Sequence, residues 1–336
     1  MVEIEPTICE QAQEILDNII NKPKLIVMCG IQCSGKSTEA KKLAEQYNAV
    51  IISSDNLRQT FPEEDNSKIF KRVHDKMNSE LKQNTNVIID ATNTTIKMRQ
   101  QLFSNIRENC YKICYVMNTY YDDCLTRLRE RNKSDYPHKV PEEVLKKYYY
   151  NFEIPFYEEG WDEIHLVNHP TMTDTVFNLH NLRSATEGFN QNNKHHTQDL
   201  NQHLFNTKQY IEKRSKNTIL SEAAHYHDVG KLFTQVYKPN DPDAHYYNHA
   251  NVGAYILMCC AGIHDDLYEF DEKSTLEWLF YVNYHMIKYN LKTDKAIKKW
   301  SKIFGKEKFD NLLLLNYADS QRPEIVCLDG DVKNDM

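Results

Sequence analysis

Two groups of residues in this 336-residue chain have the types and spacing of reaction centres. The first is Gly30-Ile31-Gln32-Cys33-Ser34-Gly35-Lys36-Ser37, which fits G-x-x-x-x-G-K-[ST] without a mismatch. Glycines in such a loop let main-chain N–H groups turn inward around phosphates, at a helix N-terminus where the dipole favours negative charge. Lys36 then neutralises the β/γ oxygens and the Ser37 hydroxyl holds Mg²⁺. Gly30, Cys33, Ser34, Gly35 and Thr38 complete a segment expected to bind ATP or another nucleoside triphosphate with Mg²⁺. Further along, Ser53-Ser54-Asp55-Asn56-Leu57-Arg58 follows a second apolar run. A carboxylate at the carboxyl end of a sheet can accept the proton of an attacking hydroxyl, which a plain ATPase would not require. Arg58 could grip a phosphate of the acceptor with its planar fork. The plainer role for Asp55 is to cap the helix that follows.

The second group centres on His227-Asp228. His-Asp pairs also occur at His74 and His264, so the pair alone is weak; only His227-Asp228 has His203, His249, His285 and Asp319 on other expected helices. Adjacent helical residues point about 100° apart, so an ion can sit between two neighbouring side chains if other helices complete its shell. Imidazole with carboxylate suits divalent transition metals, and a bridged pair of ions can activate water and clamp a phosphate ester.

Something must position these groups. KLIVMCG, AVIISSD, NVIIDATN and KICYVMN read as buried strands separated by helix-compatible stretches, and DEIHLVN as a last strand. Strands alternating with helices predict an α/β domain, a parallel sheet with helices on both faces. Beyond Trp161 comes the polar tract SATEGFNQNNKHHTQDL. TILSEAAHYHDVGKLF, HANVGAYILMCCAG, LEWLFYVNYHM and DNLLLLNYADS then predict an all-α domain. The expected organisation is an N-terminal helix over 1–22, a phosphate-loop domain over 23–170 and a helical domain over 185–328, with DGDVKNDM as a frayed tail.

Composition narrows the class. Hydrophobic residues at 40% and charged residues at 26% are globular values, and no apolar run approaches the roughly 20 residues that cross a bilayer. The acidic opening lacks the order of a secretory signal, and nine scattered cysteines suit reduced thiols, so a cytoplasmic protein with no membrane partner is expected. A net charge of −7 argues against coating nucleic acid non-specifically but not against gripping one end. Local basic clusters stand at Arg127, Arg129, Arg131 and Lys133, and at Lys298, Lys299, Lys302, Lys306 and Lys308; a solvated helix face is the plainer reading of the second.

Over residues 24–158 the sequence resembles the polynucleotide 5′-kinases of phage and bacterial end-healing enzymes. GIQCSGKS, SSDNLR, IIDATN and RERN followed by VPEEVLKKYYYNFEIP carry that resemblance. It implies Asp55 as general base, Arg58 as contact to the phosphate beside the acceptor end, and Arg131 as a lid residue over the donor phosphates. Asp90 and Asn93 would shape the acceptor site or orient the metal. The family's second lid arginine is missing; Asp135, His138 and Lys139 stand there, with Lys139, Arg127 or Arg129 as substitutes that spacing does not separate. Over residues 190–325 the sequence resembles the HD superfamily of phosphohydrolases, through HYHDVGK, NHANVGA and FDNLLLLNYADS. By that resemblance His203, His227, Asp228 and Asp319 hold one divalent metal (Mn, Ni, Co, Fe, Zn or Cu), His249 and His285 add a second, and Lys231 contacts substrate phosphate. Together the resemblances imply RNA ends as substrates, DNA ends as further ones, and an RNA ligase acting downstream. A kinase and phosphohydrolase of small metabolites, and an ATP-dependent sensor with a non-hydrolytic HD half, are the competing expectations.

Overall fold

The computed structural model describes residues 22–135, 139–168, 178–193, 198–261 and 270–320. The expected helix over 1–22, the tail, and His138, His195, His196 and His264 lie outside the described residues, wholly or nearly so for the helix.

The first half is a five-stranded parallel sheet in the order β2-β3-β1-β4-β5. Its strands are β1 (Lys24–Cys29), β2 (Ala49–Ser53), β3 (Asn86–Asp90), β4 (Tyr111–Asn118) and β5 (Glu163–Asn168), the five apolar runs of the sequence. Leu25, Ile26, Val27, Met28 and Cys29 are all fully buried, because helices cover both faces of β1. Those helices are α1 (Lys36–Tyr47), α2 (Ser54–Thr60), α3 (Asn66–Lys82), α4 (Ile96–Ser104), α5 (Tyr121–Lys133) and α6 (Glu142–Tyr150). The strand order reverses between β1 and β4, so the loop after β1 opens at the crevice where such sheets keep their ligands.

The second half is built from α7 (Leu179–Thr186), α8 (Leu200–Glu212), α9 (Thr218–Tyr226), α10 (Lys231–Thr234), α11 (His249–Ala261), α12 (Glu272–Tyr284), α13 (Asp294–Phe304) and α14 (Lys306–Asp319). It departs from the all-α expectation in one place: β6 (Gln235–Tyr237) and β7 (Ala244–Tyr246) pair as a short antiparallel hairpin. The run expected as one helix over TILSEAAHYHDVGKLF is broken at His227–Gly230, where a turn separates α9 from α10. None of the described helices is long and apolar enough to cross a membrane.

One buried cluster runs through both halves. Phe156 packs edge-on against Phe280 and Phe304, with ring centroids 5.0 and 5.4 Å apart. The Ile154 amide donates to Asn283 Oδ1 at 2.8 Å, and the Tyr284 hydroxyl donates to the Ile154 carbonyl at 3.1 Å. Under this joint lies Arg99, fully buried, with Nε and Nη2 on the two carboxylate oxygens of Glu159 at 2.6 and 2.7 Å. Its Nη1 donates to the carbonyls of Asn93 and Glu153. Breaking a buried pair strands the remaining charge, so Arg99→Met should cost about 3–5 kcal/mol. Urea unfolding checks this, and Arg99→Met with Glu159→Leu should recover part of the loss, since no lone carboxylate then remains.

Candidate active sites in the two halves

The phosphate loop takes its shape from residues on both sides of the sheet crevice. Cys33 and Gly35 have left-handed backbones (φ 61° and 94°), which turns the loop into the first turn of α1. A Cβ on Gly30 would stand 2.6 Å from Ser34 Oγ and 2.9 Å from Met117 Cβ, so this glycine is required by close packing behind the loop. Thr119 Oγ1, just past the end of β4, fixes the loop by donating to the Ser34 carbonyl at 2.9 Å. Lys36 is nine-tenths buried with Nζ 2.6 Å from the Ile31 carbonyl, folded across the loop it would neutralise. Burial lowers its pKa, and the Asp90 carboxylate opposes that shift. Ser37 Oγ donates to Asp90 Oδ2 at 2.8 Å, so a hydroxyl and a carboxylate are paired where a Mg²⁺ ion would be shared.

The loop floors a cavity of about 900 Å³. Asp55 and Arg58 stand on its wall, with Arg58 Nη1 2.7 Å from Asp55 Oδ1. Asp55 does not cap its helix: Ser53 Oγ accepts from the Asn56 amide instead, and the Asp55 side chain is 55% exposed. Arg131, Arg127 and Lys139 line the same cavity, whereas Arg129 is drawn to Glu142 by two hydrogen bonds at 2.7 and 2.8 Å. Of the three substitutes for the second lid arginine, Arg127 and Lys139 therefore reach the cavity. Asn93 also borders it, but its amide donates to the Met28 carbonyl at 2.9 Å, tying β3 to β1. Part of the lining was not expected from sequence: Phe70, Val73 and His74 of α3, Met98 of α4 and Tyr148 of α6 give the cavity aromatic and apolar character. The only signal in sequence was the apolar periodicity of α3, which equally describes a core face.

In the second half all six expected ligands converge although they come from five separate segments. His203, His227, Asp228 and Asp319 present donor atoms within 4.8 Å of one another, and so do Asp228, His249 and His285. Asp228 belongs to both groups. Its Oδ2 lies 3.4 Å from both His203 Nε2 and His227 Nε2, while its Oδ1 lies 3.0 Å from His249 Nε2 and 3.4 Å from His285 Nε2. Asp319 Oδ1 closes the first group at 3.2 Å from His203. The imidazoles are held in one tautomer: Nδ1 of His227, His249 and His285 meets the carbonyls of Ala224, Tyr246 and Val282 at 2.8, 2.8 and 2.7 Å. A carbonyl can only accept, so Nδ1 carries a proton and each Nε2 faces inward, the orientation a metal-binding imidazole needs. This donor set fits one or two divalent ions.

The electrostatics agree. Burial alone would depress His227, but Asp228 and Asp319 raise it to about 10, and burial drives His285 down to about 4 with Asp228 only partly opposing. Asp228 is held well below the carboxylate range: burial opposes this, but Lys231 and His227 outweigh it. Such a cluster favours positive charge between the side chains, which a divalent ion supplies. Lys231 Nζ sits 2.6 Å from Asp228 Oδ2 and 2.8 Å from Gln191 Oε1, so it braces the shared carboxylate.

Two glycines allow this convergence. A Cβ on Gly230 would come within 2.0 Å of the His249 carbonyl and 2.7 Å of the Gly253 nitrogen, so the turn after Asp228 touches the backbone of α11. Gly230→Ala must push α11 away and His249 with it. The expected result is loss of metal from the His249–His285 side with a lowered melting temperature, read by metal analysis and calorimetry.

Comparison with known proteins fits the first half. The family model described as "AAA domain" matches residues 25–155. By this match and the relative below, the N-terminal part of the chain is similar to P-loop kinase domains. The L-seryl-tRNA(Sec) kinase of Methanococcus maripaludis is 32% identical over 146 residues, 41% of this chain and 56% of that protein. The chain thus spans about half the length of this curated relative. Among solved structures, the Pnkp1/Rnl/Hen1 RNA repair complex contains a chain 27% identical to this one, with 38% of this chain and 43% of that one covered and a TM-score of 0.34. A gluconokinase from Sinorhizobium meliloti 1021 aligns with 44% of this chain and 85% of its own, at 16% identity and a TM-score of 0.32.

Proposed function

We propose that the chain is a bifunctional RNA end-healing enzyme. In this reading the P-loop half transfers a phosphoryl group from ATP to a 5′-hydroxyl end, and the helical half removes a 2′,3′-cyclic, 2′- or 3′-phosphate. The observation that carries it is the coexistence in one chain of a phosphate-loop cavity with an accessible carboxylate and a separate cluster in which Asp228 joins two ligand groups.

In the kinase cavity, main-chain amides and Lys36 would hold the nucleotide tail, Ser37 and Asp90 would hold its Mg²⁺, and Asp55 would accept the proton of the attacking hydroxyl. Arg58 orients Asp55 and can meet a phosphate of the acceptor, while the Phe70 and Tyr148 rings suit a nucleobase. Bound divalent ions at the Asp228 cluster would supply Lewis acidity and an activated water. His203, His227, Asp228 and Asp319 would hold one ion, Asp228, His249 and His285 the other, and Lys231 keeps Asp228 in place.

A kinase and a phosphohydrolase acting on the same ester would cancel each other; acting on opposite ends of a broken strand they are complementary. A curated relative of the kinase half bears the name of a kinase whose acceptor is carried on tRNA, which supports a hydroxyl acceptor attached to RNA. The test is a 5′-hydroxyl oligoribonucleotide with labelled ATP, with Lys36→Ala as blank. Label at the 5′ end supports the reading; no transfer above the blank removes it. Saturation by mononucleosides as readily as by the oligomer would move the acceptor to small metabolites.

A further inference from the structure

The surface on either side of the metal-ligand cluster carries groups that ester hydrolysis itself does not need. On the Asp319 side, the 3₁₀ turn His285–Asn290 begins with a ligand and leads to Lys288. Lys288 Nζ lies 3.6 Å from Asp319 Oδ2 and 5.4 Å from the centre of the Tyr289 ring, which is 59% exposed. The chain continues through Lys292 into α13. One side of that helix is anchored in the shared core through Trp300 and Phe304, whose rings are 5.1 Å apart. Its other side presents Lys295, Lys298, Lys299 and Lys302, all exposed and, among the described residues, in no ion pair. On the His249 side, the hairpin passes Tyr246, whose carbonyl holds His249 Nδ1, directly into Tyr247. Tyr247 is 52% exposed, lies parallel to His245 with an interplanar angle of 4°, and has Lys238 Nζ 5.4 Å from its ring centre.

Exposed rings beside cations on one flank, and a lysine face leading away on the other, are the elements of a single-strand platform: rings stack bases, lysines follow the backbone. A mononucleotide needs neither. A merely solvated helix gives no reason for Tyr289 to sit beside the ligand turn, and the chain as a whole is acidic at −7, so this basic face is a local feature.

We propose that these flanks form a single-stranded RNA surface that feeds a 3′ end into the metal-ligand cluster, with Tyr247 and Tyr289 stacking bases beyond the terminal nucleotide and the α13 lysines following the phosphates; this rests on the phosphohydrolase reading above. The surface makes the helical half a reader of strand ends rather than of mononucleotides.

The test uses the full chain and two substrates, a single-stranded decamer ending in a 2′,3′-cyclic phosphate and 2′,3′-cyclic AMP. Y247A and Y289A should each raise KM for the decamer about tenfold. K295A/K298A/K299A/K302A should reduce the salt slope of decamer binding by about 3. Turnover of 2′,3′-cyclic AMP should stay unchanged in every variant, and Y247F should behave as wild type because the ring suffices. An unmoved decamer KM, an equal loss on both substrates, or a Y247F defect matching Y247A overturns the proposal. If the wild-type protein hydrolyses neither substrate, the phosphohydrolase reading fails by itself. Anisotropy of the labelled decamer in EDTA then judges the surface: weaker binding by the lysine variant, about fivefold or more, sustains it, and equal binding overturns it.

Discussion

Asp228→Ala should lower hydrolysis of a 3′-end phosphate ester by about 1,000-fold, the rate equivalent of the several kcal/mol that metal ions contribute to such transition states. Among the described residues no other belongs to both ligand groups, so its removal opens both shells at once. It also leaves Lys231 buried beside an empty position, which adds positive charge where ions would bind. Metal content should fall in parallel with the rate. Kinase activity should be untouched, because Asp228 contributes nothing to the phosphate-loop cavity. Retained metal with full hydrolysis would show that the convergence of the six side chains has no catalytic meaning.

Asp55→Asn is expected to be the second largest effect, a loss of about 10²- to 10⁴-fold in phosphoryl transfer with ATP binding unchanged. The substitution keeps size and shape and removes the ability to take a proton together with the charge that pairs with Arg58. Asp55 pairs with Arg58 on α2, while the groups placed to hold nucleotide lie on the loop, α1 and β3. Loss of ATP affinity equal to the loss in rate would assign Asp55 to nucleotide binding instead. Single-turnover kinetics with measured ATP affinity separates the two.

The legible parts of this protein were the local ones. A doubly covered parallel strand must be apolar throughout, so KLIVMCG and its companions announced the sheet. The phosphate loop was readable because eight consecutive residues perform its task. The metal-ligand cluster was half legible: the adjacency of His227 and Asp228 is in the sequence, but His203 and Asp319 meet them only through the packing of α8, α9 and α14. The hairpin was missed because strands as short as Gln235–Tyr237 have no period to detect. The α3 side of the cavity was missed because an amphipathic helix facing a cavity has the pattern of one facing a core. That Arg127 and Lys139 line the cavity while Arg129 does not turns on the Arg129–Glu142 pair, a contact between two helices that spacing does not encode. The polar tract gives no sign that Phe152, Ile154 and Phe156 dock the sheet half directly onto α11 and α12.

The most direct test is one oligoribonucleotide bearing a 5′-hydroxyl and a 2′,3′-cyclic phosphate, incubated with ATP and divalent metal and weighed by mass spectrometry. Wild-type protein should give a strand with a 5′-phosphate and no 3′-end phosphate. Lys36→Ala should heal the 3′ end alone, and Asp228→Ala the 5′ end alone. A variant that loses both activities, or either variant that loses neither, would contradict two independent sites in one chain.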